Sequence, residues 1–332
     1  MAHPDRPAPR VSVAISTYNR AHLVGRAIRS ALAQTVGDFE LIVVDDGSAD
    51  DTPAVLAAVG DPRLRIARHE RNQGISRTRN TALGLVRGEW IAFLDDDNEW
   101  TPDYLERQLA LAAARPEADV VYCRARLQYT DRPAVEWGEV WQGRIFCRLL
   151  GVWVPLMSGA LIRTAALAAV GGVDERLRAT EDHDLWMRLA QRTDFAATPD
   201  VLLIRHERHG AQLSRNPALF ASDVAVLHRT WRDAAIAACG RRAYRQWLAG
   251  LIEHTEWCHA ERDRAAGTGE RAIAARSAMR LLRWLPWSAA LLPRALVRSI
   301  VRARRRPPSW LRARLAWYAH RVGRALRRPA AR

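Results

Sequence analysis

Two clusters of acids stand where apolar runs end. LIVV leads into Asp45-Asp46-Gly47-Ser48, and IAFL leads into Asp95-Asp96-Asp97-Asn98. Adjacent carboxylates disfavour one another's charge, so three in a row are costly unless a cation sits among them. Oxygen donors without His or Cys favour a hard divalent ion, Mg²⁺ or Mn²⁺, which keeps waters and takes phosphate oxygens from a substrate. A third acidic pair, Glu181-Asp182, opens the helical stretch EDHDLWMRLA. Asp182 lies three and seven residues before Leu185 and Leu189, so it shares their inward helical face. In a first turn the helix dipole favours its ionised form, and an ionised carboxylate can accept a proton. Beside it, His183 reads as a surface residue.

Short apolar runs alternate with helical patterns and position these acids. VSVAIS (11–16), FELIVV (39–44), LRIARH (64–69) and WIAFL (90–94) read as strands. AHLVGRAIRSALAQ (21–34), a stretch from about Pro53 with Thr52 as N-cap, SRTRNTALGLV (76–86) and a segment from Thr101-Pro102 to about Ala114 read as helices. Such alternation predicts a mostly parallel sheet covered on both faces, an α/β architecture. Further strands are expected at DVVYCRARL, PLMSGALIR and VLLIRH (201–206), and a helical pattern fills 217–265. Ligands of open α/β sheets bind beyond the carboxyl ends of the strands. Four such tips carry polar groups, with Ser16, Thr17, Tyr18 and Asn19 at the first and Asn72, Gln73 and Gly74 at the third. Turn and capping preferences explain any single tip; two neighbouring acidic tips call for a cation.

No GxxxxGK[ST] loop is present, and no GxGxxG follows the first strand. A diphosphate held by a metal without a Walker lysine points to a nucleotide-sugar. VSVAISTYNR, LIVVDDGSADDT, NQGISRTRNTAL, GEWIAFLDDDN and MSGALIRTAALAAVGGVDERLRATEDHDLWMRL, in that order, resemble the family 2 glycosyltransferases of the GT-A fold. The resemblance covers roughly residues 10–215. It implies inverting transfer of a sugar from a nucleoside diphosphate (UDP- or dTDP-type) to an acceptor hydroxyl. It also implies donor-binding roles for Ser16, Tyr18 (near the base), Asp46 (on the pyrimidine N–H), Arg79 or else Arg77 (on the phosphates) and Asp96 (on the ribose). Asp97 becomes the ligand of Mn²⁺ or Mg²⁺, Asp182 the general base, and Glu181 and Trp186 supports of the acceptor or the site. RHERHGAQLS (205–214) resembles the family's late arginine/histidine stretch, so His209 or Arg208 is expected near the diphosphate. A nucleotidyltransferase would carry a Gly-rich loop with Arg and Lys where STYNRAHLVGRA stands, and a non-catalytic scaffold would not need these acids intact.

The formal charge of +15 is concentrated at one end of the 332 residues. Residues 271–332 hold 17 arginines and no acid; without them, 34 of the 51 basic residues face all 36 acids. Four cysteines lie far apart with no metal spacing. LLRWLPWSAALLPRALVRSIVRARRR (281–306) mixes Trp and Leu with Arg, and its longest uncharged stretch is too short to span a bilayer. Such a composition suits a segment lying on an anionic membrane, where it meets a glycan or lipid-linked acceptor. No nucleic-acid motif accompanies the arginines, so no nucleic-acid partner is expected. The start, MAHPDRPAPR, lacks an apolar leader, and the expected location is cytoplasmic, on the inner membrane face. The organisation read from the sequence is a short N-terminus (1–9), a GT-A domain (10–216), a helical extension (217–268) and an Arg-rich tail (269–332).

Overall fold

A computed structural model describes residues 8–129, 133–151, 155–206 and 216–268, together with 272, 276 and 277. The chain gathers into two compact units, 1–210 and 211–332. The first is built on nine strands: β1 (Val11–Thr17), β2 (Phe39–Asp45), β3 (Leu64–Arg68), β4 (Trp90–Asp95), β5 (Asn98–Trp100), β6 (Ala118–Gln128), β7 (Val135–Trp137), β8 (Ala160–Arg163) and β9 (Asp194–His206). Its helices are α1 (Ala21–Leu32), α2 (Thr52–Ala57), α3 (Ile75–Leu83), α4 (Tyr104–Ala114), α5 (Phe146–Leu149), α6 (Thr164–Ala169) and α7 (Glu181–Ala190).

The strands form one sheet in the order β3-β2-β1-β4-β8-β6-β9-β5, with β7 on β6. β3, β2, β1 and β4 run parallel. All seven residues of β2 are buried, as a parallel strand covered on both faces requires. Helix α1 covers the sheet with Leu23, Val24, Ala27, Ile28 and Ala31, a stripe at the spacing of one helical face. The register aligns the strand ends: Ser16 stands opposite Val44 and Asp95, and Thr17 opposite Asp45. Both acidic tips therefore flank the end of β1.

The other half of the sheet is mixed. β8 is antiparallel to β4 and β6, β9 is parallel to β6, and β5 is antiparallel to β9. The segment expected as one strand at PLMSGALIR divides into a 3₁₀ turn, Met157–Gly159, and β8. The turn is held by Trp100 Nε1, which donates to the Ser158 carbonyl at 2.6 Å, and by Gln108 Nε2, which donates to the Gly159 carbonyl at 2.9 Å. Helix α3 stops at Leu83 rather than 86, and Thr52 is the first helical residue behind an Asp51 cap. The short β5 was not legible as a strand; it begins one residue after Asp97.

In the second unit, helix α8 (Pro217–Ala265) is broken at Gly240, whose φ of 84° lies in the region glycine enters without a Cβ clash. Phe220, Val224, Leu227, Trp231, Trp247, Leu248 and Leu251 are buried, and His228 hydrogen-bonds the Tyr244 hydroxyl across the break. No helix among the described residues is long and apolar enough to cross a membrane. The tail segment 281–332 lies outside the described residues.

Candidate active site

The first tip is a clamp. Asn19 has φ of 50°, a left-handed conformation that Asn tolerates better than most residues. Its N–H donates to Ser48 Oγ at 2.8 Å, and its Oδ1 accepts from the Ala49 N–H at 2.7 Å. The Arg20 N–H donates to Thr52 Oγ1 at 3.1 Å. The STYNR turn is thus bolted to the DDGSADDT loop. Tyr18 projects from it, 42 % exposed, an aromatic face open to a ligand, while Ser16 is half-buried at the end of β1.

Asp46 holds the third tip. Its Oδ1 accepts from the Gln73 N–H (2.9 Å) and bonds His69 Nδ1 (2.6 Å), and its Oδ2 accepts from the Gly74 N–H (2.8 Å). His69 Nε2 meets Thr81 Oγ1 at 2.9 Å, so the ring is fixed at both ends. A carboxylate has about four acceptor positions, and three are taken. Gly47 (φ 78°) permits the closeness of this loop, since a Cβ there would stand 2.7 Å from the Arg71 carbonyl carbon.

The fourth tip separates its three acids. Asp95 accepts from Arg79 at Oδ1 (2.9 Å) and from the Ser158 hydroxyl at Oδ2 (2.8 Å), with Asn98 Nδ2 also on Ser158 Oγ. Asp95 is the knot that ties β4 to the 157–159 turn and to α3. Arg20 reaches Asp96 Oδ1 at 2.6 Å and Asp97 Oδ2 at 3.2 Å, and Arg26 donates to the Asp97 carbonyl at 3.0 Å. Burial lifts Asp96 to about 6; Arg20 pulls against that rise and Asp97 adds to it. Burial and the Asp95 charge likewise raise Asp97, opposed by Arg20 and Arg205.

Arg79 does not face open space. Its guanidinium is buried, with Nη1 on Glu181 Oε1 at 2.5 Å and Nη2 on Asp95. The resemblance implied a phosphate contact; the fork is instead consumed by two carboxylates from two elements, a bidentate use that suits a planar guanidinium. Arg77 is exposed and pairs with Glu175 at 3.2 Å, which takes it out of the network at the strand tips.

Helix α7 presents three acids in its first turn. Glu181 is buried, and burial raises it to about 7 against the pull of Arg79 and with a push from Asp182. Asp182 is half-buried and accepts from the His183 N–H at 2.7 Å; burial raises it too, opposed by Arg79. His183 is 2 % exposed and lowered to about 4 by burial, so the surface reading is corrected. Trp186 is 1 % exposed and packs edge-to-face on Phe195, centroids 6.3 Å apart. It supports α7 from the core.

Two contributions were missed in the sequence. One is the polar face of α3: Ser76, Arg79 and Asn80 stand at i, i+3 and i+4, on one side of the helix. Ser76 donates to the Leu177 carbonyl at 2.5 Å, and Asn80 exchanges two bonds of 2.9 Å with the Val173 backbone. This face fastens the loop that delivers α7. The other is Arg205, paired in register with Asn98, whose charge acts on both Asp97 and Asp182. The expected arginine/histidine stretch therefore contributes at its first residue, whereas Arg208 and His209 lie outside the described residues.

Among the described residues no three His, Cys, Asp or Glu side chains converge as a closed metal cage. An open site is a different matter. Asp97 has one long side-chain contact and sits among acids whose burial leaves their charge poorly compensated. That donor set fits a hard ion completed by water and phosphate oxygens.

Comparison with known proteins places this arrangement. Residues 12–167 match the model of glycosyl transferase family 2. The succinoglycan biosynthesis protein ExoO of Rhizobium meliloti is 33% identical over 243 residues, 67% of this chain and 69% of that protein. The Escherichia coli enzyme WfgD, a UDP-Glc:alpha-D-GlcNAc-diphosphoundecaprenol beta-1,3-glucosyltransferase, is 38% identical over 101 residues, 30% of this chain and 40% of its own. Among solved structures, S. aureus TarS with UDP-GlcNAc superposes with a TM-score of 0.56 at 19% identity, covering 80% of this chain and 85% of that one. The mannosyltransferase PcManGT of Pyrobaculum calidifontis, with GDP-Man and Mn2+, gives 0.54 at 22% identity, covering 89% and 87%. With its tips, its mixed sheet and these relatives in view, the chain belongs to glycosyl transferase family 2 and has the GT-A fold.

Proposed function

We propose that this glycosyltransferase moves a sugar, with inversion at the anomeric carbon, from a UDP- or dTDP-linked donor to a hydroxyl of a glycan or lipid-linked acceptor in cell-surface polysaccharide synthesis. The observation that carries the reading is the half-buried Asp182. It stands at the N-terminus of α7 and is linked through Glu181 and Arg79 to the strand tip that bears Asp97. The similarity to ExoO, a succinoglycan biosynthesis protein, and to WfgD, a UDP-Glc-dependent glucosyltransferase, supports the substrate class.

Asp182 takes the proton of the acceptor hydroxyl as the oxygen's electron pair forms the bond to the anomeric carbon. The bond from that carbon to the phosphate oxygen breaks, and its electron pair leaves with the nucleoside diphosphate. Burial raises Asp182 and makes it a better base, while Arg79 keeps the ionised form accessible. Asp97, with Asp96 beside it, would hold a divalent ion whose Lewis acidity offsets the charge of the departing diphosphate. Tyr18 and Ser16 line the donor, and Asp46 has one acceptor position left for a pyrimidine N–H. Arg205 neutralises the ground between base and leaving group.

The organisation proposed for the chain is the catalytic domain over 10–216, the helical extension 217–268 and the basic tail 269–332. The tail rests on an anionic membrane on its cytoplasmic side, and liposome co-sedimentation across a salt series checks that. The chemistry is tested by screening nucleotide-sugars for Mn²⁺-dependent release of nucleoside diphosphate. A UDP- or dTDP-sugar is expected to be turned over by the wild type and bound, but not turned over, by Asp182→Asn. Turnover retained in Asp182→Asn would remove the base from this scheme.

A further inference from the structure

The acidic tip already contains a cation, and it belongs to the protein. A single nitrogen of Arg20 lies 2.6 Å from Asp96 Oδ1 and 3.2 Å from Asp97 Oδ2, bridging two carboxylates as a shared divalent ion would. Two other arginines of the tip are committed elsewhere, and a third, Arg205, acts on Asp97 through its charge. Arg79 spans Glu181 and Asp95, and Arg26 holds the Asp97 carbonyl and Glu99. The Arg20 backbone cannot follow a moving side chain. Its N–H is bonded to Thr52, its carbonyl accepts from the Leu23 and Val24 N–H groups, and Asn19 before it is clamped on both sides. The side chain, by contrast, is 27 % exposed and has a way out to solvent.

We propose that Arg20 is the resident counter-cation of the metal motif: it excludes a bare divalent ion from Asp97 and yields the position only when the ion arrives with a diphosphate. The proposal rests on the reading of Asp97 as a metal ligand. A second cation entering beside the guanidinium is repelled by it, and the repulsion is strengthened because Asp96 is screened from water and Asp97 is half-buried. A nucleoside diphosphate changes the balance. Its oxygens offer the guanidinium an alternative fork partner, bidentate and charge-assisted, so Arg20 can leave the aspartates without losing its own compensation. Metal and nucleotide then bind with positive coupling, and the coupling is reciprocal. The site would stay closed to free Mn²⁺ or Mg²⁺ and assemble only around the complete donor.

The experiment titrates the full-length protein with Mn²⁺, following free Mn²⁺ by electron paramagnetic resonance, alone and with saturating UDP. The wild type is expected to bind Mn²⁺ alone weakly and with UDP much more tightly. In Arg20→Gln the affinity for Mn²⁺ alone should rise about tenfold, and the enhancement by UDP should shrink by about the same factor. Arg20→Lys keeps the charge and should exclude bare Mn²⁺ as the wild type does, within about threefold, which separates charge from side-chain size. An Arg20→Gln protein that binds Mn²⁺ alone no more tightly than the wild type overturns the proposal. Asp97→Asn distinguishes the two levels. If it abolishes uptake with UDP while Arg20→Gln behaves as wild type, only the role of Arg20 falls. If uptake with UDP persists in Asp97→Asn, the ligand assignment falls and the exclusion model with it.

Discussion

The two ends of the same parallel strands bury acids beside arginines, with opposite electrostatic results. At the floor, Glu40 on β2 accepts from Ser12 at 2.7 Å, from the Arg87 N–H and side chain, and from Arg65, all at 2.9 Å. Burial pushes its pKa up, yet those hydrogen bonds outweigh it and hold the carboxyl below its usual range. At the tips, Asp96 rises to about 6: burial is the larger cause and Asp97 adds to it, with Arg20 pulling against them. Hydrogen-bond donors therefore decide the outcome at the floor, and burial decides it at the tips. The floor is a finished network. The tips are an unfinished one, and an unfinished acidic site is a place for something to arrive.

The contrast can be broken most forcefully at the proton acceptor. Asp182→Asn is expected to lower kcat by about 10³, within the range for a lost general base, with donor affinity kept within a few-fold. In the wild type the acid limb of kcat/KM should lie above the ordinary aspartate range, because burial raises Asp182 and the base must be deprotonated to act. Next, Asp97→Asn should cost about 10² in turnover while leaving stability unchanged or slightly higher, since one repelling charge is gone. Glu40→Gln should do the reverse. Unfolding in urea should reveal a loss of about 2 kcal/mol, reduced from the cost of a fully buried pair by the exposure of Arg65 and Arg87, with turnover per folded molecule unchanged.

A smaller effect is read from pH. A group raised in the folded state binds its proton there first, so its burden on stability lightens as pH falls through that value toward the unfolded one. Between pH 7 and 5 the wild type should therefore gain about 1 kcal/mol relative to Asp96→Asn, the sign being opposite to that of Glu40, whose stabilisation is lost only as pH falls through its lowered value. The least effect belongs to Arg77→Ala. Its exposed pair with Glu175 should be worth under about 0.5 kcal/mol, and donor KM should stay within about twofold.

The strands and helices of the first hundred residues could be read from the sequence because their periodicities are clean and their tips carry turn residues. Asp46, Asp96, Asp97 and Asp182 stood out because acids following apolar runs, or opening a helix, are local signals. What escaped were partners that meet only through the sheet. β5 is three residues long, Arg205 reaches the tip through its register with Asn98, and Arg20 looks in the sequence like any residue preceding a helix. Arg79 was noticed for the wrong partner, since no spacing rule shows that Glu181 lies 102 positions away and 2.5 Å distant. His183 reads as a surface residue because a helix start with three acids looks wet, while tertiary packing keeps its other side dry.

Helix α3 joins the two halves of this site. Asp46 grips the N–H groups of Gln73 and Gly74 just before the helix, and Arg79 inside it grips Glu181. The five-residue step from Gly74 to Arg79 rises about 7.5 Å at helical pitch and scarcely stretches. The helix thus works as a gauge block, setting how far Asp46 stands from the carboxylate at the head of α7. A residue inserted between Gly74 and Arg79 would rotate Arg79 by about 100° and take it off Glu181.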